Sequence, residues 1–191
     1  MAFVLALAAP AVLAADTRFD DDFIAGALAR AGQQPQQQVT VDIAAPPSYV
    51  FDFMRNRLPE YLEGVKAVSF STGQASGRLE RTSQLENGET LVQRFIVDEP
   101  GVQYAYFTDM AASTVSAPLA YTVTAYQFLA NESGGTRVTV AIDYEPSPRW
   151  MGFIVRRAFN RAFREDYQRA AMIISEAFLS ETPRSQNSLQ Q

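Results

Sequence analysis

The feature that most limits the fold of this 191-residue chain is the order of its predicted secondary-structure elements. A short strand at 39–43 leads into a helix at 48–54, six strand-like runs follow, and one long amphipathic helix at about 149–178 comes last. A sheet followed by a single long helix hides its apolar face by curling around that helix. The order therefore predicts an α+β fold, a curved antiparallel sheet gripping the C-terminal helix, with a core or a ligand cavity between them.

Turn signals and residue alternation define the six later strands. Asn87-Gly88 separates two of the runs, and Asn-Gly is a strong hairpin signal. Residues 131–135 form a second turn of this kind, and hairpin connections predict antiparallel pairing. Apolar and polar residues alternate along 137–145, which indicates one buried and one wet face. The predicted strands are 64–71, 77–85, 89–98, 102–109, 120–130 and 136–145, and a short helical turn at 58–63 precedes them.

Composition excludes several classes of function. The chain has no cysteine and no histidine, so disulfides, thiolate or imidazole metal sites and a Ser-His-Asp triad are ruled out. The net charge of -5 argues against a nucleic-acid partner, which requires clustered positive charge. The sequence carries neither a glycine-rich phosphate loop nor an acidic metal loop, so it predicts no cofactor and no metal.

The N-terminal segment predicts export. Residues 2–15 are apolar throughout and end in small residues, as in a signal peptide, although no basic residue precedes them. We expect residues 1–15 to be a signal peptide and the protein to reach a bacterial periplasm. A buried N-terminal helix in a cytoplasmic protein is the alternative. Beyond the leader we expect a short helix and a glutamine-rich linker at 16–38, the folded domain at 39–180 and a disordered tail at 181–191.

Three segments resemble one superfamily. They are IAAPPSYVF at 43–51, LPEY at 58–61 and GGTRV at 134–138, together with the long last helix. Over residues 39–180 the chain resembles the SRPBCC superfamily, the START-like helix-grip fold, and its polyketide cyclase/dehydrase and lipid-transport branch. The family often has tryptophan where Phe51 stands, which leaves the fold prediction unchanged. The resemblance implies binding or carriage of a small hydrophobic ligand (a lipid, an isoprenoid or an aromatic polyketide-like compound), but it implies no shared catalytic motif.

Aromatic residues on the predicted strands are the first candidates for a ligand site. Those that face the long helix would line an apolar cavity, where a tyrosine hydroxyl orients a polar ligand atom. The alternative is that they fill a core. The strand aromatics are Phe95, Tyr104, Tyr106, Phe107, Tyr121, Tyr126 and Tyr144. The ligand-binding residues that we predict are Arg94, Tyr104, Tyr106, Tyr121, Val123, Val140, Ile142, Tyr144, Ile154, Phe159 and Phe163.

Charged residues on the strands are candidates for a second function, a cyclase- or aromatase-like enzyme. Such an enzyme would use a buried carboxylate with a neighbouring tyrosine or arginine to move protons on a bound ketone. We expect most of these residues to lie on the wet face, with Arg94 as an inward-pointing exception because it shares a strand face with Val92 and Ile96. The sequence identifies no catalytic residue. The charged strand residues are Arg81, Glu86, Arg94, Asp109, Asp143 and Glu145.

The start of the long helix combines basic and aromatic residues. Arg157, Arg161 and Arg164 share one helix face and stand among large apolar residues. A helix of this kind contacts anionic lipid headgroups or a ligand's acidic end. The alternative is an ordinary solvated face. The sequence leaves the oligomeric state open.

Overall fold

The computed structural model describes residues 19–73 and 76–182, apart from the side chains of residues 158, 159 and 162. The predicted signal peptide at 1–15 and the tail beyond residue 182 lie outside the described residues. Four helices are described, with a short 3-10 turn at Arg149–Met151 before the last: α1 Asp21–Gln33, α2 Pro47–Asn56, α3 Leu58–Tyr61 and α4 Gly152–Glu181. Seven strands are described: β1 Gln37–Ile43, β2 Val65–Thr72, β3 Leu79–Leu85, β4 Thr90–Glu99, β5 Gln103–Asp109, β6 Leu119–Ala130 and β7 Thr136–Pro146.

The strands form one antiparallel sheet in the order β1-β7-β6-β5-β4-β3-β2. Every neighbour in the run from β2 to β7 is also a neighbour in sequence, as the hairpin signals predict. The pairing shifts register within β2, β4 and β6. Such bulges bend a strand and increase its twist, and this lets the open sheet curve around α4.

The inner face of the sheet, defined as the face toward α4, carries the main core. Val138 and Val140 of β7 pack with Ala170 and Ile174 of α4, and each is at most 1 % exposed. Helix α4 runs along β1 and β7, while α2 and α3 close the same core from the side. The predicted sheet gripping a long C-terminal helix is confirmed.

The outer face of the sheet is covered by α1. Asp20 caps this helix by accepting a hydrogen bond from the Phe23 amide at 2.8 Å. Arg30 donates to Asp143 of β7 from both Nε (3.2 Å) and Nη2 (3.0 Å), and the Tyr121 hydroxyl donates to the same carboxylate oxygen at 3.0 Å. Asp143 is only 2 % exposed, so these donors compensate a buried charge.

The structure changes three details of the predicted domain plan. Strand β1 begins at Gln37 rather than at residue 39, because the end of the predicted linker joins the sheet: Gln37 pairs with Ile142 and is buried. Helix α1 ends at Gln33, so it includes the first glutamine of the predicted linker. Helix α4 extends to Glu181, where the tail was predicted to begin.

Replacing Val140 by tryptophan is expected to destabilise the fold by about 1–3 kcal/mol, because added volume overpacks a filled core. Val140 is fully buried and lies between Val39 and Tyr126 on the neighbouring strands. Urea unfolding followed by far-ultraviolet circular dichroism measures the loss. Val102→Trp is the control, since Val102 is half exposed in the β4–β5 turn. An unchanged unfolding midpoint for Val140→Trp would instead reveal open space beneath β7.

Candidate functional site

A buried arginine lies at the centre of the polar part of the inner face. Arg81 of β3 is 1 % exposed, and its Nε donates to Gln93 Oε1 of β4 at 2.8 Å. Its Nη1 donates to the backbone oxygen of Arg55 at 2.9 Å, and this ties the end of α2 to the sheet. The guanidinium carbon lies 4.9 Å from the ring centroid of Tyr106, close enough for a cation–π interaction.

The charge of Arg81 has no anionic partner in the part of the chain that the structure describes. Burial by itself would lower the pKa of Arg81, but Tyr106 and three further tyrosines raise it on balance. The guanidinium therefore stays positive at neutral pH. Its Nη2 donates to no described residue. A buried cation with spare donor capacity is costly unless an acceptor binds it.

Tyrosine hydroxyls link Tyr106, whose ring lies against Arg81, to the C-terminal helix. The hydroxyl oxygens of Tyr106 and Tyr126 lie 3.3 Å apart, and the Tyr126 hydroxyl forms a further short hydrogen bond with that of Tyr167 in α4. Tyr61 of α3 donates to the backbone oxygen of Met54 at 2.7 Å. Four elements therefore contribute hydroxyls to one buried cluster.

The hydroxyl of Tyr104 is buried without a hydrogen-bond partner among the described residues. Burial raises the pKa of Tyr104, Tyr126 and Tyr167 well above the usual value, and it also raises that of Tyr61. The positive charge of Arg81 acts in the opposite direction and lowers the pKa of Tyr61, Tyr104 and Tyr167, but burial has the larger effect. At neutral pH the cluster therefore presents O–H donors rather than phenolate bases.

A second group of packed apolar side chains, which we call the apolar compartment, continues from the tyrosine cluster toward the start of α4. The Phe163 ring lies 4.7 Å from that of Tyr167 and packs against both the main core and a second cluster. The buried members of this second cluster are Leu119, Ile142, Tyr144 and Val155. The inner face thus carries a polar end at Arg81 and an apolar end under the first turns of α4.

Several predicted site residues lie on the inner face, as expected. Tyr104 and Tyr106 belong to the tyrosine cluster, and Val140 belongs to the main core. Ile142 and Tyr144 belong to the apolar compartment, and Phe163 packs against it. The ligand-binding role of these residues stays a prediction.

The prediction that Tyr121 and Val123 face α4 was wrong. Both pack on the outer face against α1, and it is Tyr126 and Phe128 of the same strand that face inward. The reason is that α1 covers β6 from outside. Both faces of the strand are therefore apolar, and alternation does not distinguish them.

Two further predicted residues lie elsewhere, and one is outside the described side chains. Arg94 is opposite Phe107 on the outer face, with its Nε 3.6 Å from Glu80, because β4 turns Phe95 rather than Arg94 toward the interior. Ile154 is 53 % exposed, and Val155 is the residue that points to the sheet. The side chain of Phe159, also predicted to bind the ligand, lies outside the described part of the structure.

Arg81 and Asp143 were both expected on the wet face, and both are buried. A signal for Arg81 exists in β3: Leu79, Arg81 and Leu85 share one strand face, whereas Glu80, Thr82 and Gln84 share the other. Apolar residues at both ends of a face indicate that the face is buried. No comparable signal exists for Gln93, Tyr61 and Tyr167. The sequence around each of them is equally compatible with a buried and with an exposed position.

A surface concavity of about 720 Å³ lies between α2 and the β4–β5 turn. Its arginines are already paired: Arg55 binds Asp98 at 2.6 Å, and Arg57 binds Glu60 at 2.6 Å and Glu181 at 2.9 Å. Paired charges offer little to a ligand, so the Arg81 cluster is the stronger candidate. The described residues contain no group of three acidic side chains that could hold a metal ion.

Known proteins with similar sequence or structure share this architecture. The family model described as polyketide cyclase / dehydrase and lipid transport matches residues 34–174. No curated protein matches the sequence. Solved structures with a similar fold include XoxI from Bacillus cereus, at TM-score 0.56 and 19% identity over 75% of this chain and 94% of that one.

Two more structures share the fold at low identity. Ara h 8.0201 has TM-score 0.53 and 14% identity over 75% of this chain and 97% of its own. The Zhui aromatase/cyclase from Streptomyces sp. R1128 has TM-score 0.53 and 12% identity over 75% and 92%. These likenesses concern the helix-grip fold alone. The match to the family model spans most of the sequence, and the chain is therefore a member of the polyketide cyclase/dehydrase and lipid-transport family.

Proposed function

We propose that this protein binds and carries a small hydrophobic ligand whose polar end is a hydrogen-bond acceptor held by Arg81. The observation that carries the proposal is the fully buried guanidinium without a carboxylate partner among the described residues. A ligand carboxylate or carbonyl would satisfy the free Nη2 and offset the desolvation of the charge.

The donor set fits an acceptor-rich ligand group. Tyr104 has an unpartnered hydroxyl, and the elevated pKa of that hydroxyl keeps its proton in place. Arginine offers donors only, and a protonated tyrosine adds one more. A cationic headgroup would be repelled by the charge of Arg81 and would find an acceptor only in the Tyr104 hydroxyl oxygen, so a carboxylate or ketone is favoured over an amine.

The apolar compartment would receive the rest of such a ligand. Phe163 lies between the tyrosine cluster and the residues under the start of α4. A chain or fused ring extending from Arg81 along this direction would contact Tyr167, Phe163 and Ile142. An isoprenoid, a fatty acyl chain or a polyketide-like compound meets this description.

An enzyme of the cyclase type is the second candidate. Arg81 and the tyrosine hydroxyls would stabilise the negative charge that develops on an enolate oxygen. Among the described residues, however, the only buried carboxylate is Asp143, which lies on the outer face and accepts hydrogen bonds from Arg30 and Tyr121. The buried tyrosines would be poor bases at neutral pH. Binding without turnover is therefore the better supported function.

We also propose export to the periplasm and exchange of the ligand at a membrane surface. The apolar segment at 2–15 supports export, and the basic, aromatic start of α4 supports membrane contact. No helix in the described part of the chain is both long and apolar enough to span a bilayer.

Titration with a fluorescent fatty acid tests the proposed function. The wild-type protein is expected to bind the carboxylated probe, and oleic acid is expected to compete at least tenfold better than methyl oleate or octadecane. The charged carboxylate gains about 1.5–3 kcal/mol from its hydrogen bonds to the site, which corresponds to roughly 10–150-fold in affinity. Absence of binding for all four compounds would remove lipid carriage. Equal competition by acid and hydrocarbon would remove the role of Arg81.

A further inference from the structure

Three large apolar side chains are exposed where α4 begins. Trp150 is 75 % exposed, Phe153 74 % and Ile154 53 %. Single exposed apolar residues are ordinary on a protein surface, but three within five positions form a continuous patch, which is typical of an interaction site. We name Trp150, Phe153 and Ile154 the aromatic patch.

Unpaired positive charge surrounds the aromatic patch. Residues 149–164 contain five arginines and no acidic residue, whereas the rest of the chain has 11 basic and 21 acidic residues. Arg149 and Arg161 have glutamate partners at 3.6 and 3.0 Å. Arg156, Arg157 and Arg164 are exposed and form no ion pair within the described residues. The charge is therefore local, and it is opposite to that of the molecule as a whole.

The aromatic patch lies directly over the apolar compartment. Val155 follows the patch in α4 and is buried against Leu119, Ile142 and Tyr144. Met151 lies between Trp150 and Phe153 in the sequence and packs against the same cluster. A surface that contacted Trp150 and Phe153 would therefore be separated from the compartment only by the first turns of α4.

We propose that the aromatic patch inserts into the interface of a bilayer that contains anionic lipids, with Arg156, Arg157 and Arg164 on the lipid headgroups. The proposal rests on the proposed function, because it names the membrane with which the apolar ligand is exchanged. Tryptophan favours the headgroup level of a bilayer. Arginine gains affinity from the negative surface potential. A protein partner would need a surface shaped to fit both the aromatic patch and the arginines. An anionic bilayer supplies an apolar interior for the patch and negative headgroups for the arginines, and neither requires a specific shape.

Intrinsic fluorescence provides a direct measurement, since Trp150 is the only tryptophan in the chain. Vesicles of phosphatidylcholine with 30 % phosphatidylglycerol are expected to shift its emission to shorter wavelength and to bind the protein in sedimentation. Pure phosphatidylcholine is expected to bind far more weakly, and added salt should release the protein from the anionic vesicles, because screening shortens the reach of surface charge.

The matched variants separate local charge from net charge. One triple variant replaces Arg156, Arg157 and Arg164 by glutamine. It is expected to bind the anionic vesicles roughly 100-fold more weakly, at about fivefold for each charge removed. The control triple variant replaces Arg78, Arg137 and Arg169 by glutamine. It changes the net charge by the same amount at positions away from the patch, so it should weaken vesicle binding only slightly. To measure the aromatic contribution, Phe153→Ala is compared with Leu129→Ala, which removes an exposed apolar side chain outside the patch.

Three results would overturn the proposal. They are an unshifted Trp150 emission with anionic vesicles at low salt, equal binding by the two triple variants, and a concentration-dependent emission shift without vesicles, which would indicate a second copy of the chain instead. Ligand carriage is measured separately with the fluorescent fatty acid in solution. If the wild-type protein and the patch variants bind the fatty acid but none of them binds vesicles, only the membrane inference fails. If the wild-type protein binds vesicles but not the fatty acid, the proposed function fails instead.

Discussion

Replacing Arg81 by methionine is expected to weaken binding of a carboxylated fluorescent fatty acid by roughly 10–150-fold. Hydrogen bonds to a charged group contribute about 1.5–3 kcal/mol, and this variant removes the donors that the ligand carboxylate would use. Affinity for a neutral hydrocarbon probe should stay within a factor of about three, because such a probe forms no hydrogen bond with Arg81 and methionine fills a similar volume. Fluorescence titration of both probes measures the difference.

The same variant is expected to fold at least as stably as the wild-type protein. Arg81 is buried, and no carboxylate among the described residues neutralises it, so its desolvation opposes folding. Methionine removes that charge, although Gln93 and the Arg55 carbonyl lose a donor. Thermal unfolding separates the two effects, and a retained melting temperature shows that lost binding is a property of the site.

Arg94→Met is the matched control. Arg94 lies on the neighbouring strand but on the outer face, 3.6 Å from Glu80. The Arg94→Met variant should bind the fatty acid with the affinity of the wild-type protein. Equal losses in the two variants, or full binding by Arg81→Met, would show that the ligand's polar end is held elsewhere.

The fold follows from the sequence because its signals are local. The turn at Asn87-Gly88 and the turn at 131–135 fix hairpins, and alternation in β7 fixes its inner face. The strand limits deviate by no more than two residues from those predicted. A run of hairpins followed by one helix allows few arrangements, so local signals suffice for the topology.

The candidate site follows less well, because its signals depend on what covers each face. Alternation in β6 identifies two faces, but α1 covers the outer one, so Tyr121 and Val123 are buried away from α4. The contact that holds α1 there joins Arg30 to Asp143 across 113 positions of sequence. No local pattern predicts such a pairing.

Arg81 shows a different limit of the sequence. A charged residue on a strand is usually exposed, so the ordinary expectation is the wet face. Only its neighbours in the face, Leu79 and Leu85, indicate burial. The hydroxyls of the neighbouring tyrosine cluster come from α3, β5, β6 and α4, and this convergence is visible only in the folded chain.

Replacing Ile174 by alanine is expected to destabilise the protein by about 2–5 kcal/mol. Ile174 is fully buried in α4, in the cluster that contains Val138 and Val140. The substitution removes apolar contacts and leaves a cavity that the tightly packed strands cannot fill. Urea unfolding measured by far-ultraviolet circular dichroism gives the change in the free energy of unfolding.

Met172→Ala is the control for the Ile174 variant, since Met172 is 61 % exposed on the same helix and should lose less than about 0.5 kcal/mol. A large loss at Ile174 with little loss at Met172 identifies the end of the inner face beneath Ile174 as packed core. A ligand would then have to bind on the side of Phe163 and Arg81. A small loss at Ile174, together with stronger uptake of an apolar probe by the wild-type protein than by Val140→Trp, would move the ligand site to the β1–β7 end and contradict the role assigned to Arg81.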